Sequence, residues 1–91
     1  MPEVVLFKSE QRLDRTDIAA HLRRVADSLE AGDDITLSSG DESVTLSPPQ
    51  SPTFEVKAER EGSADRPGEL SVEFELEWDE NANENGDLRV E

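Results

Sequence analysis

The chain has no cysteine. That absence excludes disulfides, thiolate nucleophiles and cysteine-ligated zinc or iron–sulfur centres, so stability has to come from packing, strand pairing or assembly. Lysine is nearly as scarce, with Lys8 and Lys57 standing beside seven arginines and 23 acids. No apolar run approaches the roughly 18 residues of a membrane span, and Met1 to Phe7 holds no basic leader followed by a signal core. There is also no glycine-rich phosphate cradle, metalloprotease helix motif or nucleophile elbow. The expectation is a soluble cytoplasmic protein with no cofactor and no catalytic residue set.

What the sequence does have is acid. The formal charge is -14 over 91 residues, with 35% charged and 33% hydrophobic side chains. Residues 69–91 hold nine acids against Arg89, or -8; residues 1–68 hold fourteen acids against eight bases, or -6. A field of that sign repels nucleic-acid phosphates and acidic lipids. The expected partners are therefore a basic protein or a second copy of the chain, with neither nucleic acid nor membrane among them. Such an acid density is self-repelling in ordinary buffer, whereas about 1 M salt shortens the Debye length to roughly 3 Å. A salt-rich cytoplasm is the setting that fits this surface.

The apolar residues that remain are regularly spaced, which favours a folded chain over a disordered one. Glu3 to Glu10, with Val4-Val5-Leu6-Phe7 at its centre, reads as a first strand. A helix is expected from Arg15 to Ala31: Ile18, Leu22, Val25 and Leu29 form one stripe, Asp14 is placed to cap the Thr16 or Asp17 amide, and Gly32 follows as a left-handed cap. Two short strands, Asp34 to Ser38 and Glu42 to Leu46, flank the turn residues Ser39-Gly40-Asp41. Ser47 to Pro52 is a stiff proline-rich connection. Alternation resumes in Thr53 to Arg60, a loop occupies Glu61 to Gly68, and Glu69 to Asp79 alternates again.

In this last stretch, Leu70, Val72, Phe74, Leu76 and Trp78 fall on one side and Ser71, Glu73, Glu75, Glu77 and Asp79 on the other. The pattern predicts a two-layer α+β domain spanning residues 1–79, in the order β-α-β-β-β-β. One helix covers the apolar side of a mostly antiparallel sheet of about five strands, and the acidic side meets water. In that arrangement Leu22 and Phe74 belong to the core. Residues 80–91 form an acidic, asparagine-rich tail, with Leu88 and Val90 as candidates for a last short strand.

The stretches VVLFKSE, DIAAHLRRVADSLEAG, SVTLSPP, PTFEVKAERE and ELSVEFELEWD together resemble the amphi-Trp domain family, small proteins known especially from salt-adapted archaea. The resemblance runs from Val4 to Asp79, with Trp78 at the place of the family's signature tryptophan. It implies a salt-adapted setting and supplies no chemistry.

The candidate interface residues are Trp78, at the rim of the apolar side, and Glu73, Glu75 and Glu77 on the acidic side. Trp78 suits core closure as well as an interface anchor. The glutamate row reads first as hydrated surface, since acid–base work needs a cleft that drives two carboxyls apart. His21 is the one histidine and borders the helix stripe, where a structural role is the simplest account. The reading that follows is a non-enzymatic structural or protein-interaction module. The alternatives are a small carboxylate-rich metal-binding or catalytic protein using His21, and an acidic mimic of a nucleic-acid backbone. A pocket joining His21 to two convergent acids would favour the catalytic one.

Overall fold

The computed structural model describes residues 2–81, so the expected tail strand at Leu88 and Val90 lies outside the described residues. The chain divides into two compact units, one ending at Pro48 and the other beginning at Pro49, within the proline-rich connection.

In the first unit, helix α1 spans Arg15–Ala31, as the stripe and its flanking residues predict. Asp14 occupies the N-cap position, but its side chain makes no capping bond; instead its carbonyl accepts from the Asp17 and Ile18 amides at 3.0 and 3.1 Å. At the other end the Gly32 amide donates to the Leu29 carbonyl and the Asp33 amide to Ser28, the paired closure of a Schellman motif. Strands β1 (Ile35–Ser39) and β2 (Glu42–Leu46) pair antiparallel across the two-residue turn Gly40-Asp41. The Thr36 and Thr45 hydroxyls, opposite one another in the register, lie 2.9 Å apart. Helix α1 lies against β1, and Ile35 is the one buried hydrophobic side chain among the described residues.

The second unit is a longer hairpin. Strands β3 (Thr53–Glu61) and β4 (Glu69–Glu77) pair antiparallel over nine residues each, joined by residues 62–68.

The mixed α+β class is as expected, but the single sheet of about five strands is not. Among the described residues four strands form two two-stranded sheets, order β1-β2 and β3-β4. Glu3 to Glu10 is not a strand: a strand exists through its ladder, and no segment of the described residues pairs with it. Strand β4 also stops at Glu77, short of Trp78 and Asp79. The expected core placement of Leu22 and Phe74 is likewise corrected. Leu22 is 51% exposed and Phe74 58%. Ile18 and Leu29 on the helix stripe are exposed too, while Val25 is half-buried.

Candidate functional site

The β3–β4 hairpin sorts its residues by chemistry because alternate positions point to opposite faces. Its register sets Phe54 opposite Leu76, Val56 opposite Phe74, Ala58 opposite Val72 and Arg60 opposite Leu70. The intervening pairs are Thr53 with Glu77, Glu55 with Glu75, Lys57 with Glu73 and Glu59 with Ser71. One face is thus apolar and the other strongly acidic.

A two-stranded ribbon is one layer thick and cannot cover its own apolar face. Phe54, Val56, Leu70, Val72 and Phe74 all remain exposed. Phe54 and Phe74, diagonal neighbours in the register, stack with centroids 6.5 Å apart and planes 9° apart. Arg60, at the end of the same face, is held by the loop. Its guanidinium donates to the Ser63 carbonyl at 2.9 Å and the Arg66 carbonyl at 2.6 Å, with a longer bond to Gly62 at 3.4 Å.

On the opposite face the acids interact with one another and with one lysine. The Lys57 ammonium lies 3.6 Å from the Glu73 carboxylate, both side chains being about half exposed or more. The surrounding carboxylates, Glu59 first and then Glu73, raise the Lys57 pKa. Glu75 is raised as well, chiefly by the hydrogen bond it shares with Glu55 directly across the strands and next by the charge of Glu77. Two carboxyls opposed in the register favour retention of a proton.

Of the predicted site residues, the hairpin brings Glu73, Glu75 and Glu77 into one row on the acidic face. It does not bring Trp78 to them: Trp78 is half-buried, one residue beyond the end of β4. His21 is exposed on α1 and lines a cleft of about 560 Å³ in the first unit, together with Arg24, Val25 and residues of β1. Among the described residues no carboxylate lines that cleft, so His21 is not joined there to a described acid. Among the described residues no group of three or more histidines and acids is placed to hold a metal ion, and no helix is long and apolar enough to cross a membrane.

Sequence reasoning did not single out the Phe54–Phe74 stack or the Arg60 clasp. Both residues of the stack were visible as members of the apolar parity, but their approach depends on the register. The Arg60 clasp depends on loop carbonyls that no side-chain pattern marks.

The model of the Amphi-Trp domain matches residues 1–91, the whole sequence. No curated protein and no solved structure matches the chain. With every residue inside the matched region, the chain belongs to the Amphi-Trp domain family.

Proposed function

We propose that this chain is a non-enzymatic protein-interaction module of a salt-rich cytoplasm, whose contact surface is the apolar face of the β3–β4 hairpin. The observation that carries this is the hairpin's segregation. Phe54, Val56, Val72 and Phe74 are between 56% and 61% exposed on one face while Glu55, Glu73, Glu75 and Glu77 occupy the other. Exposed apolar area of this kind, concentrated on one flat surface, is costly in water unless a partner removes it. Trp78 lies one residue past the strand end and is half-buried, so the surface is assigned to the strand residues. The glutamate row keeps the assembled protein hydrated, and its mutual repulsion falls as salt rises.

A photoreactive residue introduced at Val72 is expected to form a protein–protein adduct at the cell's own salt concentration, and the same residue at Glu73 is not. Equal adduct formation from the two faces, or none from Val72, contradicts the reading.

A further inference from the structure

We propose that the partner on the β3–β4 apolar face is a second copy of this chain, the two hairpins packing face to face as a two-fold sandwich. This rests on the interaction-surface reading above and names its occupant. Three observations lead to it.

The first is charge. A partner of the same net charge, -14, is tolerated only where the contact excludes carboxylates. Between Phe54 and Arg60 and between Leu70 and Leu76, every residue of the apolar parity is Phe, Val, Ala or Leu except Arg60, whose guanidinium is bound to the loop carbonyls. When two sheets pack about 10 Å apart through such faces, both acidic rows end up on the outside. A basic protein would instead seek the acids, which lie on the opposite face.

The second is area. Phe54 is 61% exposed, Phe74 58%, Val56 56%, Val72 59% and Leu70 78%. With about 150–250 Å² for an aromatic side chain and roughly 60–120 Å² for an aliphatic one, these five residues offer roughly 300–500 Å², to which exposed Ala58 and half-buried Leu76 add. Two copies would then bury roughly 600–1,000 Å², approaching the size of a specific interface.

The third is shape. The stacked rings of Phe54 and Phe74 stand toward one end of the hairpin, while the Ala58–Val72 pair toward its middle is low. A two-fold axis lying in the plane between the two faces, perpendicular to the strands and placed between the rings and the small pair, brings the rings of each copy over the small pair of the other, large against small. An unrelated apolar partner has no reason to match this relief.

The test uses the full chain. Sedimentation equilibrium at about 3 M KCl should give twice 10.1 kDa for the native sequence and 10.1 kDa for Phe74→Glu, with Glu75→Gln remaining dimeric. Circular dichroism verifies that each variant is folded. Because the chain has no cysteine, Val72→Cys and Glu73→Cys provide unique thiols. A flexible bis-maleimide long enough to bridge sheets about 10 Å apart should link Val72→Cys into a covalent dimer and leave Glu73→Cys, on the outer face, monomeric. A native mass of 10.1 kDa at all concentrations overturns the second copy. If that monomer still yields a Val72 adduct with a different protein in the cell, only the choice of partner has failed. If it yields none, the interaction surface itself has failed.

Discussion

The rings of Phe54 and Phe74 stack across β3 and β4 at 6.5 Å with planes 9° apart, although neither residue is the other's direct partner in the register. Offset stacks of this kind are coupled beyond the area they hide. A double-mutant cycle with Phe54→Leu and Phe74→Leu should therefore show an interaction of about 0.5–1.5 kcal/mol in denaturant unfolding. Additive single effects would show that the rings are merely neighbours.

The Glu55–Glu75 pair makes a prediction about pH. Glu75 is raised above its ordinary value in the fold, so its proton favours the folded state below the unfolded value, and that contribution disappears as pH climbs through the raised one. Glu75→Gln keeps a donor toward Glu55 and discards the charge. Its melting temperature should match the native protein near pH 3 and exceed it at pH 7 in about 0.1 M salt, with the gap closing in molar KCl. A variant less stable than the native chain at pH 7 would show that the opposed carboxyls help the hairpin.

Ile35 should be the most sensitive apolar position of the first unit. It is 9% exposed, whereas Leu22 is 51% exposed. Ile35→Ala should cost about 2–5 kcal/mol by loss of burial and creation of a void, and Leu22→Ala well under half of that. The ranking is read from urea unfolding; equal losses at the two positions would mean that Leu22 is covered as deeply as Ile35.

Gly68 sets the hairpin loop. A Cβ there would meet the Glu61 carbonyl oxygen, a backbone atom that cannot move without disturbing the end of β3. Gly68→Ala should lower the melting temperature and speed amide exchange at Glu61 and Glu69, which pair at the last rung. Unchanged exchange at that rung would show that the loop shifts freely.

These positions also show which parts of the molecule the sequence discloses. Helix α1 was legible to the residue, because a stripe at three- and four-residue spacing and a following glycine are local signals. The β1–β2 hairpin and the two faces of β3 and β4 were legible for the same reason: period two is a property of the chain itself. The number of sheets was not. Val4-Val5-Leu6-Phe7 has strand composition, but whether it pairs depends on a partner elsewhere, and here it has no ladder among the described residues.

Burial was the second failure. Alternation predicts that a face is apolar, not that anything covers it, which is why Phe74 was assigned to a core and stands exposed. The acidic row at Glu73, Glu75 and Glu77 was read correctly as one surface. The Phe54–Phe74 stack and the Arg60 clasp required the register and the loop path, and neither is written in residue types alone.

The most direct measurement is a cysteine scan of β4, from Leu70 to Glu77, in the cysteine-free background at about 3 M KCl, with thiol alkylation rates as the readout. An apolar face covered in the assembled protein predicts slow reaction at positions 70, 72, 74 and 76 and fast reaction at 71, 73, 75 and 77. Uniformly fast alkylation along the strand, or protection on the glutamate face instead, would contradict it.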